Sequence, residues 1–162
     1  MRVDSLGQGR LGLVIGMVIA LGLVACSQHA DAPEEKIRAL VAQAQTAAEA
    51  RDVSGLRTLI AENYADAQGN DRKAVETLLR FTLLQNQSIH LFTRIRDLRV
   101  IGPEQATLSV AAAMAGRAIA NASELAGLKA NLYRFDLDLV RQGGEWRVQR
   151  AVWEPARLDD FL

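Results

Sequence analysis

Asp136 and Asp138 stand two residues apart in the stretch from Asn131 to Arg141. In an extended chain such a pair shares one face at a spacing of about 7 Å, close enough for one carboxylate to act as acid and the other as base. The local alternation puts both on the polar side with Arg134 and Gln149, where they read as solvated surface carboxylates. Arg150 is different. Flanked by Val148 and Val152 and expected opposite Leu137, it should point to the apolar side, where an unpaired guanidinium is costly. It then pairs with a buried acid, receives a ligand, or packs its stem while its head reaches solvent or Glu154. The histidines are only His29 and His90, so no histidine-based metal site is expected, and nothing calls for a cofactor. Cys26 is the single cysteine, which rules out an intramolecular disulfide.

The elements that must hold these residues fall into two halves. Pro33 and Glu34 after Asp31 mark a helix start, and Ile37, Leu40, Val41, Ala44 and Ala48 follow on one face to an end near Arg51. Asp52 or Ser54 can cap a shorter helix carrying Leu56, Leu59 and Ile60, which ends at Asn63 and Tyr64. Asn70 or Asp71 can cap a third helix with Val75, Leu78, Leu79, Phe81 and Leu84, closing around Asn86. From Ser88 the period changes to two. A strand to Ile101 turns at Gly102-Pro103 into a second, from Gln105 to about Ala118. With Val100 opposite Gln105, Ile95 meets Val110 and Leu91 meets Met114. Gly143-Gly144 is a two-residue hairpin turn joining Asn131–Arg141 to Glu145–Glu154. Pairing Gln142 with Glu145 sets Leu139 against Val148, Leu137 against Arg150, Phe135 against Val152, Asp138 against Gln149 and Asp136 against Ala151. Residues 119–127 read as a loop with a helical turn at Ser123 to Leu125. Three helices over four antiparallel strands make an α+β domain.

The first 25 residues form a separate segment. Arg2 and Arg10 precede a wholly apolar run from Leu11 to Ala25, too short for a span of about 20 residues and interrupted by Gly12, Gly16 and Gly22. Its end, Leu23-Val24-Ala25-Cys26, resembles the lipobox of bacterial lipoproteins. The resemblance implies cleavage before Cys26 and acylation of its thiol and new amino terminus, with fatty acids such as palmitate. Without the resemblance, Cys26 is a plain thiol behind an ordinary signal peptide or a retained anchor. Two or more acyl chains hold a protein on a membrane where one does not. Ser27, in place of the Asp that marks inner-membrane retention in such proteins, implies the periplasmic face of the outer membrane of a Gram-negative cell. Residues 26–32 are then a lipidated tether reaching at most about 20 Å, and residues 33–162 the folded domain. The whole chain carries 19 basic and 19 acidic residues. That balance gives no electrostatic case for nucleic acid.

The order of elements, the run Leu59-Ile60-Ala61-Glu62-Asn63-Tyr64, and the final hairpin with Trp146-Arg147-Val148 and Ala151-Val152-Trp153 resemble the NTF2-like superfamily. The resemblance implies a cone-shaped sheet with a pocket under the helices. Enzymes of that superfamily use an Asp or His base aimed into the cone, with a Tyr or second acid as oxyanion donor. The residues here of matching type are Tyr64, Asp66, His90, Asp136, Asp138 and Arg150, of which His90 falls away from the inferred core. Arg150, Trp146 and Tyr64 are the candidate pocket residues, Trp146 and Tyr64 reading first as packing. No catalytic residue is assigned.

On the other face of the first hairpin, His90, Phe92 and Arg94 lie across from Ala115, Ala113 and Ala111. This small-residue floor with one aromatic suits a homodimer interface, or is simply exposed or covered by the 119–127 loop. Three functions follow as expectations: a lipid-anchored periplasmic binding or accessory module for a small-molecule ligand or envelope protein, an isomerase- or cyclase-like enzyme, and a structural subunit of an envelope assembly.

Overall fold

The computed structural model describes residues 32–162. The leader, Cys26, Ser27 and Asp31 lie outside the described residues. Helix α1 (Pro33–Glu49) begins at Ala32, with no side-chain cap. Pro33 supplies the preset first-turn dihedral, and Glu34 and Glu35 face the positive end of the helix dipole. The chain leaves α1 through Arg51, whose φ of 56° is left-handed, and Asp52 then caps α2 (Val53–Thr58) by accepting from Gly55 N at 2.9 Å. A Cβ on Gly55 would sit 2.5 Å from that carboxylate, so a larger residue there would make the capping side chain shift. Helix α3 (Arg72–Gln85) is capped by Asp71, which accepts from Ala74 N at 2.8 Å, and closes at Asn86.

The four strands β1 (His90–Val100), β2 (Gln105–Ala115), β3 (Ala130–Gln142) and β4 (Glu145–Pro155) form one antiparallel sheet in sequence order. Gly143 and Gly144, at φ 62° and 87°, make the tight turn of the second hairpin. Short 3-10 turns at Ala122–Gly127 and Leu158–Phe161 complete the fold, the first where a helical turn was expected.

The expected registers hold beside one end of each hairpin and slip at the other. In the first, Leu91 pairs with Met114 and Ile95 with Val110, but an extra residue at Arg96 shifts the ladder so that Val100 meets Ala106 instead of Gln105. In the second, Gln142 pairs with Glu145 and Leu139 with Val148, but the ladder shifts past Leu139. Leu137 therefore faces Ala151, Phe135 faces Trp153, Asp136 faces Val152, and Asp138 faces Arg150. Each slip is a β-bulge, which bends its strand and reverses which residues face inward beyond it. The second is held from outside the sheet: the carbonyl of Gln149 accepts from Ala65 N at 3.2 Å, next to a parallel bridge between Ile60 and Val148. The segment after α2 thus runs along the free edge of β4 and fixes the bulge.

Both bulges sort side chains in the same sense. In β1 the inward set passes from Leu91, Thr93 and Ile95 to Leu98 and Val100, leaving Asp97 and Arg99 outside; in β4 it passes from Trp146 and Val148 to Ala151 and Trp153, leaving Arg150 and Glu154 outside. The main core lies at the α1 end of the inner face, where Ile37 and Leu40 pack on Ala106, Leu108, Val110, Leu139 and Trp146. A second core lies on the outer face. Phe161, fully buried, and Leu125 cover Ala111 and Ala113. Arg96, freed from the ladder, donates to the carbonyl oxygens of Asp159 and Leu162 at 3.3 and 3.4 Å and holds this C-terminal turn down.

Candidate functional site

Between the helices and the inner face of the sheet is a cavity of about 510 Å³. Helix α1 contributes Val41, Ala44 and Gln45, the α2 region Leu59, Ile60 and Tyr64, and α3 Val75, Leu78, Leu79 and Thr82. The sheet supplies Leu91, Thr93, Ala112, Met114, Tyr133, Phe135 and, through the β4 bulge, Ala151 and Trp153. The mouth is marked by Leu78 and Tyr133, which line the cavity yet remain 44% and 37% exposed.

Of the polar side chains that line it, Thr93, Gln45 and Tyr64 are tied to partners, while Thr82 and the partly exposed Tyr133 also contribute hydroxyls. Thr93 Oγ1 donates to Gln45 Oε1 at 2.9 Å, and Gln45 Nε2 donates to the carbonyl of Leu91 at 3.0 Å. Tyr64 donates its hydroxyl to Asp66 Oδ2 at 3.1 Å. Desolvation, reinforced by that hydrogen bond and the neighbouring negative charge, pushes the Tyr64 phenol up to about 12. Its proton is therefore held toward the loop rather than offered to a ligand. Asp66 in turn organises the loop from 66 to 70, accepting also from Gln68 N, Asn70 N and Asn70 Nδ2. Desolvation raises its carboxyl, but the hydrogen bonds from Asn70, Tyr64 and Gln68 outweigh it, leaving the group below its ordinary value. No Asp, Glu, His, Lys or Arg lines the cavity among the described residues. A charged ligand would find no counter-charge there, and the cost of desolvating it would stand uncompensated. An uncharged, largely apolar molecule fits this chemistry.

Of the three expected pocket residues, one lines the cavity. Tyr64 does; Trp146 is buried in the main core beneath α1, as its packing reading has it. Arg150 is on the opposite face of the sheet, contrary to the expectation, because the bulge at Gln149 reverses its side. There it is exposed, with its Nη1 4.0 Å from Asp138, in a shallow hollow of about 330 Å³ shared with Asp97, Ser109 and Asp136. Asp136 accepts from Ser109 Oγ at 2.6 Å and pairs with Arg134 at 3.4 Å, and Arg134 also pairs with Glu154 at 2.6 Å. Asp136 and Asp138 are thus surface carboxylates in a solvated charge ladder. Among the described residues no three His, Cys, Asp or Glu side chains are placed to hold a metal.

His90, Phe92 and Arg94 do lie across from Ala115, Ala113 and Ala111. The floor beneath them is already occupied by the chain itself: the rings of Phe92 and Phe161 are 6.2 Å apart, and Leu125 packs on the alanines. Arg94 stays exposed. Sequence reasoning missed Trp153, Phe135, Tyr133 and Thr93 as cavity residues. For Trp153 the signal was a phase slip in the apolar alternation of β4, from Val148 to Ala151, whereas Tyr133 and Phe135 stand in phase with Leu137 and Thr93 in phase with Leu91 and Ile95.

No family model matches the sequence, and no curated protein matches it. Among solved structures, similarity extends to a putative scytalone dehydratase from Novosphingobium aromaticivorans DSM 12444, with a TM-score of 0.62 at 11% identity over 76% of this chain and 84% of that one. A domain of unknown function with a cystatin-like fold from Nostoc punctiforme PCC 73102 superposes with a TM-score of 0.59 at 16% identity, over 81% and 80% of the two chains. An NTF2-like protein of unknown function from Silicibacter pomeroyi DSS-3 gives 0.56 at 17% identity, over 75% and 93%. Identities this low speak for architecture and leave activity open. With three helices closed over one face of a bent four-stranded antiparallel sheet, the chain has the NTF2-like fold.

Proposed function

We propose that the protein is a lipid-anchored binding module of the bacterial cell envelope that takes an uncharged, largely apolar ligand into the cavity between its helices and sheet. The observation that carries the reading is the lining: apolar side chains from α1, α2, α3 and all four strands, with Thr93, Gln45 and Tyr64 hydrogen-bonded and no carboxylate, imidazole or cation among them. Acid/base catalysis would need a titratable group within hydrogen-bond reach of the ligand. Tyr64 is turned to Asp66, Tyr133 stands at the mouth, and no carboxylate, imidazole or amine lines the interior to act as base, so binding is the better reading. Cys26 behind an apolar leader supports the anchor, and Ser27 supports the periplasmic face of an outer membrane.

Two experiments test the two parts separately. The neutral fluorescent probe 1-N-phenylnaphthylamine should bind the protein and light up, and Ala112→Phe, which fills the cavity from β2, should abolish that signal while leaving the fold intact. Probe binding that survives Ala112→Phe in a folded protein would remove the cavity as the site. For the anchor, Cys26→Ser should stop acylation and shift the protein out of the membrane fraction; unchanged attachment with the leader still in place would make the leader itself the anchor.

A further inference from the structure

Helix α3 is apolar on both sides. Val75, Leu79 and Thr82 look into the cavity, while Leu78, Phe81 and Leu84 are 44%, 59% and 68% exposed. The three are spaced i, i+3, i+6 and so form one ridge crossing the outward side of the helix. Three large apolar side chains held out on one short helix are unusual for a surface that meets only water. Leu78 belongs to both sets, so the apolar surface runs without a break from the cavity, over its mouth, onto the ridge.

Two cations of α3, Lys73 and Arg80, border the ridge. Arg72, which donates to the Arg57 carbonyl at 3.1 Å, and Arg57 itself lie on the side of the helix that faces α2. Opposing them are Glu76, which pairs with Arg80 at 3.2 Å and Arg57 at 3.3 Å, and the capping Asp71. On the outward surface Lys73, Arg80 and Leu84 fall within a narrow sector, placing cations along one border of the ridge. An exposed apolar stripe bordered by Lys and Arg is the pattern of a helix that lies in the interface of an anionic bilayer. An acidic or neutral protein partner would meet the cations or the leucines, but no contour in the structure singles one out.

We propose that the outward ridge of α3 docks on an anionic lipid bilayer, setting the mouth of the cavity at the membrane surface so that the apolar ligand passes between bilayer and cavity. The proposal rests on the binding reading for the ligand's path, but the docking itself does not depend on it. Phe81 and Leu84 do not line the cavity, so substitutions there leave probe binding unchanged.

The test uses the full chain on vesicles with Phe81→Trp as the reporter, read as the emission added to that of the parent. On phosphatidylethanolamine–phosphatidylglycerol vesicles with acyl-chain-brominated lipid, emission from position 81 should be strongly quenched. Quenching should weaken on phosphatidylcholine vesicles and be lost when Leu84→Glu or the pair Lys73→Glu and Arg80→Glu is added, with the far-ultraviolet circular dichroism unchanged. Emission from position 81 that brominated lipid leaves untouched overturns the proposal. So does a blue shift that grows with protein concentration in the absence of vesicles, since a second copy would then cover the ridge. Failure here with 1-N-phenylnaphthylamine still bound leaves the cavity reading standing; loss of probe binding with quenching intact does the reverse.

Discussion

The two faces of the sheet are built from the same strands yet hold opposite chemistry. The inner face carries Leu91, Thr93, Ala112, Phe135, Ala151 and Trp153 around an open cavity; the outer face carries Asp97, Asp136, Asp138, Arg134 and Arg150 on one part and is sealed by Phe161 and Leu125 on the other. Strict alternation along β1 and β4 would have mixed these sets, sending Asp97 and Arg150 inward. One extra residue in each strand prevents it. The lesson is that the neutrality of the cavity is a product of strand geometry as much as of composition.

Breaking either packed face should show the largest effects. Trp146→Ala on the inner side and Phe161→Ala on the outer side each remove a buried aromatic and should destabilise by about 3 to 5 kcal/mol in urea unfolding. If Phe161→Ala costs little, the C-terminal turn is an ornament on the outer face, and the comparison loses its sealed half. Asp71→Ala removes the cap that starts α3 over the cavity mouth and should cost about 1 kcal/mol. The Tyr64–Asp66 contact at the cavity wall should be visible as pH dependence. The Asp66 carboxyl is lowered on folding, so its contribution is present above its unfolded value of about 3.9 and is lost as pH falls through the folded value. The Tyr64 phenol is raised, so its contribution is present below about 10 and is lost as pH climbs toward about 12. Asp66→Asn should flatten the acid limb of a stability profile, and Tyr64→Phe the alkaline limb. Smallest of all, Arg150→Met removes an exposed pair with Asp138 and should change stability by less than about 1 kcal/mol. A loss of 3 kcal/mol or more there would mean that Arg150 neutralises a buried acid after all.

Much of this architecture was legible in the sequence because local rules agreed with one another. Asp52, Asp71 and Gly143-Gly144 sit where caps and a turn must be, and the apolar periods gave each helix and strand. The site was less legible. Arg150 was misplaced because the register was extended from the turn without a break, whereas the bulge is fixed by Ala65, a residue 84 positions before Gln149 in the chain. Such a contact has no local signature. The cover on the outer face escaped for a similar reason: Phe161 reaches Ala111 and Ala113 only after the whole sheet has formed, although the loop at 119–127 was among the readings of that face. The leader was legible from Arg2, Arg10 and its apolar run, and the lipidation of Cys26 from the lipobox resemblance; both lie outside the described residues.

The central claim is that the ligand site is the uncharged inner cavity and that the bulge keeps Arg150 out of it. Titrating 1-N-phenylnaphthylamine into the parent, Ala112→Phe and Arg150→Met proteins tests both parts at once. The account predicts binding lost in Ala112→Phe and unchanged in Arg150→Met. Binding that persists in folded Ala112→Phe, or that is lost in folded Arg150→Met, would contradict it.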